Sequence, residues 1–413
     1  MIRQLLSRPV DPPINKVIIS GAIPYLIKFL EVNIPDLQYE SAWALTNVLS
    51  GSSEQTMQVV NMGVISPLIN LLGSSSECVA QQSVWALANI AGDCAKLRDM
   101  VIDLGAIPHF LQLVEKPISV DFLKTLSWAI SNLCRSKNPV PSTNTVTQLM
   151  PALIRLLNNE DHEVVADACW AFSYISDGSE DRIDLVLQSG MLSRIVALAH
   201  CSHSNVVPPA LRALGNIVTG NDRQTQMVVD TGILKTLMPL LLRSSKKAIV
   251  KEACWLISNV AAGTTDQMQE ILNSGIMSLV IELLSEGDFR TQVEATWVVY
   301  NIATAGKDQQ IDFLVTLGVL PALCNFLKRK DPKILGILLD AIYDILELYF
   351  VNFLQASVRN NKLDLATLSI EECGGLDIIE NLQNDVSDEI YAKSLHIIEK
   401  FFSSEVTKFI DEN

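Results

Sequence analysis

The chain has 413 residues, 49% of them hydrophobic but only 6% aromatic, which excludes a disordered polymer and fits either two or three domains or one long repeat array. Its net charge of −15 disfavours direct contact with nucleic acid and favours basic partners. No apolar run reaches the roughly 18 residues of a membrane span, and the first residues do not read as a signal peptide, so a soluble intracellular chain is expected.

In chain order, the opening "MIRQLLSRPVDPPI" reads as part of a first unit at about 1–10. Then one phrase recurs: "SAWALTNV" at Trp43, "SVWALANI" at Trp85, "LSWAISNL" at Trp128, "ACWAFSYI" at Trp170, "PALRALGNIVTG" with Arg212, "ACWLISNV" at Trp255 and "ATWVVYNI" at Trp297. A degenerate copy places Asp340 at the same position, and the gaps are 42, 43, 42, 42, 43, 42 and 43 residues. A second phrase has the same period, starting at Gly21, Gly63, Gly105, Gly190, Gly232, Gly275 and Gly318, and it survives without its glycine as "LMPALIRLL". Each unit is expected to hold a short helix, a glycine in the left-handed C′ conformation, a second helix and a longer helix carrying the Trp phrase. Three helices in about 42 residues fit armadillo or HEAT units, which bury their apolar faces only by stacking. The expected fold is all-α: a right-handed superhelical solenoid of three-helix armadillo repeats with one concave face.

The period breaks around Leu348–Glu371, and the glycine phrase resumes only at Gly375. One armadillo domain is expected over 1–413, with Trp/Asn repeats at about 11–350, a C-terminal repeat at about 360–404 and a tail at 405–413. "SDEIYAKSLHIIEKFF" reads as a last long helix, a cap or a docking surface.

In W-x-x-x-N, Trp and Asn lie four apart and project on one helical face. Asn47, Asn89, Asn132, Asn259 and Asn301 follow their Trp in this way, and Asn216 follows Arg212. Stacked helices would turn these positions into ladders. A carboxamide both donates and accepts, so a row of Asn is expected to grip an extended peptide backbone. Slots between indoles suit the aliphatic stems and cationic heads of Lys or Arg. A single W-x-x-x-N would more often be a core Trp and a capping Asn; the repetition favours a peptide groove. Asp93, and the acids three residues before their Trp (Glu40, Asp167, Glu252 and Glu294), would supply counter-charge.

Other chemistry finds little support. The eight cysteines form no CxxC pair and read as reduced thiols, and His200-Cys201-Ser202-His203 lacks a second ligand pair, so no metal is expected. No Gly-rich phosphate loop, HExxH or GxSxG is present, so neither catalysis nor a cofactor is expected. Another armadillo scaffold with a basic groove for acidic partners fits the −15 charge poorly.

The phrases "ESAWALTNVLSGSSEQT", "QSVWALANIAGD", "DACWAFSYISDG", "PALRALGNIVTGNDRQTQ", "KEACWLISNVAAG" and "EECGGLDIIENLQN" closely resemble importin-α, over nearly the whole chain and with the same Trp-to-Arg exchange. The resemblance implies a nuclear import adaptor that binds mono- and bipartite nuclear localisation signals as extended basic peptides. It implies a major site at Trp43/Asn47, Trp85/Asn89 and Trp128/Asn132, with the deepest lysine held by Gly51, Thr56 and Asp93, and with Asp167 and Trp170 alongside. It implies a minor site at Trp255/Asn259 and Trp297/Asn301, with Val218, Thr225 and Asn259 around its lysine, Glu252 and Glu294 nearby, and Arg212/Asn216 at its border. A bipartite linker would cross Trp170/Tyr174 and Arg212/Asn216. Thr125 departs from the family pattern at the major site, implying a weaker contact there, while Arg223, Tyr300 and Asp344 depart from it further along and leave the minor site the less typical half. The resemblance further implies an importin-β partner recruited through a basic N-terminal segment not seen in this sequence, whose lack would remove both recruitment and autoinhibition and suggests an engineered truncation rather than a natural short form. It also implies an export receptor and a nucleoporin at the C-terminal repeats, and shuttling between cytoplasm and nucleus.

Overall fold

A repeat of about 42 residues holds its shape only if its helices start and stop on cue. Two local devices provide this. Short helices begin on reciprocal caps: Ser52 with Gln55, Asn221 with Gln224, and Thr264 with Gln267 each satisfy two end amides. They end on left-handed glycines, with φ between +71° and +88° at Gly21, Gly63, Gly105, Gly190, Gly232, Gly275, Gly318 and Gly374. Space does not select glycine there, because a Cβ would meet nothing within 4 Å; the backbone angle does.

The computed structural model describes residues 2–135, 138–355, 362–384 and 387–403, which contain helices and no strand. It is an all-α armadillo solenoid divided into two compact units, Met1–Asn216 and Ile217–Asn413. The tail 405–413 lies outside the described residues.

In the first unit the Trp helices pack in series: Pro35–Val48 against Glu77–Asp93, that helix against Val120–Cys134, and that one against His162–Ser176. Each buries the small and aliphatic residues around its Trp; Ala86, Leu87 and Ile90 beside Trp85 are sealed from solvent. The unit that lost its glycine has a single helix, Thr143–Leu157, in place of two, with Pro151 inside it. Buried arginines hold the irregular chain at 135 and 138–142 that leads into this helix. Arg98, with no exposed surface, donates from Nη1 to the Arg135 carbonyl at 3.0 Å and from Nη2 to the Pro139 carbonyl at 2.7 Å. Asp99 accepts from its Nε at 2.9 Å. Arg182 donates to the Pro141 and Ile175 carbonyls at 2.9 and 3.2 Å. Cys134 packs beneath, and burial pushes its thiol up to about 12.

In the second unit, Lys247–Ala261 packs on Phe289–Ala305 and that helix on the 24-residue Pro332–Gln355. The left-handed glycine that resumes the phrase is Gly374, not Gly375. Gly375 is glycine for a different reason: a Cβ there would lie 2.4 Å from the Cys324 sulfur. The final helix, Asp388–Phe401, covers Pro332–Gln355 through Lys393–Asp340 at 2.8 Å and Lys400–Glu347 at 2.6 Å.

Arg98→Leu keeps the bulk of the stem and removes the donors that tether the irregular chain. Urea unfolding is expected to show a loss of about 2–3 kcal/mol; an unchanged midpoint would mean the tether carries no stability.

Candidate functional site

None of the six tryptophans is buried. Trp85, Trp170 and Trp297 are exposed by 48%, 38% and 36%, while Trp43, Trp128 and Trp255 are half-buried. A core role would have sealed them. The helix register instead turns the neighbouring Ala, Leu and Ile inward and leaves the indoles at the surface.

The asparagines do something the sequence reading did not assign. Asn89 Nδ2 donates to the Thr46 carbonyl at 3.1 Å, Asn132 to Ala88 at 3.1 Å, Asn216 to Ser173 at 2.8 Å and Asn301 to Ser258 at 2.9 Å. Each acceptor immediately precedes the equivalent position of the previous repeat. These amides therefore join neighbouring Trp helices, a structural duty beside the peptide grip expected of them. Asn47 donates to Ser7 Oγ at 3.0 Å, and Asn259 to the Trp255 carbonyl of its own helix at 2.9 Å. A carboxamide has two N–H groups and an oxygen, so capacity for a peptide backbone remains.

The first rung already holds a cation. Arg3 lies over Trp43, its guanidinium carbon 4.4 Å from the ring centroid, and its Nε is 2.6 Å from Glu40. A guanidinium on an indole face with a carboxylate three residues before the Trp is the arrangement expected for a basic peptide. The next rungs form a cleft of about 470 Å³ lined by Trp85, Trp128, Trp170, Thr125, Asp167 and Glu163, with Lys124 at its wall. Thr125 accepts from Gln81 at 3.2 Å and donates to the Asp121 carbonyl at 3.1 Å. Trp170 stacks on Tyr174, their centroids 5.8 Å apart.

Asp167 accepts from Ser127 at 2.8 Å. Burial pushes its carboxyl up to about 6, against the lowering effect of that bond and with Glu163 adding to the rise. It is thus a weaker counter-ion near pH 6 than its position suggests. Lys124 reaches Asp161 and Glu163, both at 3.4 Å.

At the predicted deep-lysine position, Asp93 accepts from Ser53 at 2.7 Å, which brings it to the turn that carries Gly51. Thr56 is buried and donates to the Leu49 carbonyl at 3.3 Å. In the second unit Thr225 is equally buried and donates to the Val218 carbonyl at 3.3 Å. The two sites therefore share one local geometry. Lys251 sits between Glu252 and Glu294, at 3.3 and 3.7 Å. Tyr300 meets Trp297 edge-on at 5.5 Å, and Asp344 accepts from Thr304 at 2.8 Å. Arg223 is exposed near Met227. Arg212 and Asn216 lie on Val207–Ile217 at the end of the first unit. Sequence reasoning missed Arg3, Lys124 and Lys251; only Lys251, adjacent to Glu252, left a trace it could have read. His203 stacks on His162 with centroids 4.7 Å apart.

Segments 11–50, 52–92, 94–135, 221–262 and 264–304 match the armadillo/beta-catenin-like repeat, 125–175 a HEAT-like repeat, and 365–413 an atypical armadillo repeat. The chain is 42% identical to importin subunit alpha-3 of Arabidopsis thaliana over 407 residues, covering 98% of this chain and 76% of that protein. It is 45% identical to importin subunit alpha-2 of Caenorhabditis elegans over 409 residues, covering 98% and 75%. A solved engineered protein superposes with a TM-score of 0.83 at 25% identity, covering 97% of this chain and 93% of that one.

The folded Asp167 holds its proton more tightly than an unfolded one, whose ordinary value is 3.8. This group therefore favours folding below pH about 4, and that preference is lost as pH rises through about 6. Asp167→Asn, which still accepts from Ser127, is expected to raise Tm at pH 7.5 and to lose that advantage at pH 4.5. A pH-independent difference would show that burial does not tax this carboxylate.

Half-open tryptophans in one register, amides joining successive helices and about three quarters of these relatives' length matched at 42–45% identity lead to one conclusion: the chain belongs to the importin-α family, the armadillo adaptors of nuclear import.

Proposed function

We propose that this chain binds nuclear localisation signals as extended Lys/Arg-rich peptides laid along its tryptophans. A major site would use Trp43, Trp85, Trp128 and Trp170 with Asp93 and Thr56. A minor site would use Trp255 and Trp297 with Thr225, Glu252 and Glu294. A bipartite signal would engage both.

The observation that carries this reading is the Trp register itself: six indoles at equivalent positions, all open to solvent, most with a carboxylate one turn earlier. A solvent-facing indole is an apolar cost unless something covers it, and aliphatic stems with cationic heads match both ring and acid. Arg3 on Trp43 beside Glu40 supports the same chemistry within the chain. The wider cycle would link cargo to importin-β and end at the C-terminal repeats, where an export receptor and a nucleoporin would dock.

Fluorescence anisotropy with a monopartite Lys-rich peptide at low salt tests the core of the reading. Binding is expected to be micromolar or tighter and to weaken as salt rises. Asp93→Lys should cost at least about a hundredfold, because a like charge replaces the lysine's counter-ion; undiminished affinity would put the major site elsewhere. A second outcome separates the sites: Trp255→Ala with Trp297→Ala should spare the tighter binding of the monopartite peptide, at the major site, and weaken a bipartite one. Equal losses for both peptides would contradict two separate sites.

A further inference from the structure

The short helices of the repeats place one residue in the same buried spot, four positions after the N-cap. With the caps at Ser52, Cys94, Ser179, Asn221, Thr264 and Lys307, these residues are Thr56, Arg98, Ile183, Thr225, Met268 and Ile311. All six are buried. Only Thr56 and Thr225 carry a hydroxyl, and they belong to the two proposed lysine pockets. Each hydroxyl gives its proton to the carbonyl seven residues earlier, at 3.3 Å in both cases. Its lone pairs are then left as acceptors. A lysine head leaving water needs such acceptors, because an ammonium buried without partners is strongly disfavoured.

The repeat that follows the minor site has nearly the same framework. "GTTDQM" at 263–268 parallels "GSSEQT" at 51–56 and "GNDRQT" at 220–225. Thr264 and Gln267 form the same reciprocal cap as Ser52 with Gln55 and Asn221 with Gln224. Asn301 stands where Asn259 stands for the minor site, and it donates to Ser258 at 2.9 Å. Ala261 takes the place of Val218. What differs is Met268, which is 1% exposed and offers a thioether where the other two offer a hydroxyl. A thioether is a poor acceptor for an ammonium.

We propose that the residue four after the N-cap decides which repeats accept a deep lysine, and that Met268 closes a third pocket formed by Ala261, residue 268 and Asn301. The inference rests on the peptide-binding reading above and adds a selection rule to it. Threonine admits the ammonium, aliphatic residues and methionine refuse it, and Arg98, whose guanidinium is turned to the Arg135 and Pro139 carbonyls, offers it no acceptor. Lysine specificity is thereby confined to two repeats of the series.

The test is isothermal titration of the full chain with an acetylated, amidated Gly-Lys-Lys-Ala-Lys-Ala peptide. Two binding events are expected for the wild type. Thr225→Met should remove one, and Thr225→Met with Met268→Thr should restore it in a form that Asn301→Ala then abolishes. If the double variant melts as the wild type does and the second event stays lost, the selection rule is overturned while the peptide reading stands. If the wild type shows no binding, or Thr56→Ile and Thr225→Met leave both events intact, the peptide reading itself falls. A second measurement is independent of how Met268→Thr folds. Thr225→Val is isosteric and should weaken the minor event about tenfold, whereas Thr225→Ser should keep it. Equal affinities for Val and Ser would overturn the rule.

Discussion

The joint between successive Trp helices is a hydrogen bond from an asparagine side chain to a main-chain carbonyl one repeat earlier. Asn89, Asn132, Asn216 and Asn301 all make it, at 2.8 to 3.1 Å. The acceptor lies at the same helical level each time, so the bond fixes how far one helix slides along the next. Apolar packing alone is tolerant of small slips, because it depends on area rather than direction. A directional bond at the same level in repeat after repeat removes that freedom, and the spacing of the indoles follows from it.

The acidic surface is less bare than a net charge of −15 suggests. Arg3 occupies Glu40, Lys124 bridges Asp161 and Glu163, Lys251 lies between Glu252 and Glu294, and Lys393 meets Asp340 where a tryptophan would stand. Resident cations keep the carboxylates apart from one another's repulsion while no peptide is bound. The pairs at the more open acids, Glu40 and Glu163, are individually weak, so a peptide cation competing for those acids meets little resistance. Asp167 has no resident lysine of this kind described beside it: it accepts from Ser127, and burial lifts its carboxyl to about 6, so it takes up a proton more readily than an exposed carboxylate does.

Much of this was legible in the sequence, for a definite reason. The 42- or 43-residue spacing, the left-handed glycines and the Trp register are local features, each written within a few residues of itself. Bonds between residues about 40 apart left no such mark. The tether from Arg98 to Pro139, the contact of Arg3 with Trp43 and the acceptors of the asparagines all belong to that class. Gly374 and Gly375 show the limit at close range. Adjacent glycines look alike in a sequence, yet one is required by a backbone angle and the other by the Cys324 sulfur against it.

The phrase W-x-x-x-N therefore has two separable duties, and the chain contains the exchanges that separate them. At Arg212 the tryptophan is gone, but Asn216 still donates to the Ser173 carbonyl at 2.8 Å. The joint survives without the indole, so tryptophan is not needed to stack these helices. At Trp170 the reverse holds: the indole remains 38% exposed while Tyr174 replaces the asparagine and stacks beside it. An indole without its asparagine still faces solvent, so the register and not the amide sets its direction. A residue dispensable for the fold and kept six times at a surface where it is costly is better explained by what it touches than by what it supports. A cation in that place, as at Arg212, disfavours a peptide lysine there while it leaves the helix joint whole. On the proposed peptide reading, one exchange of side chain would thus alter how charge is met along the repeats without altering the repeat.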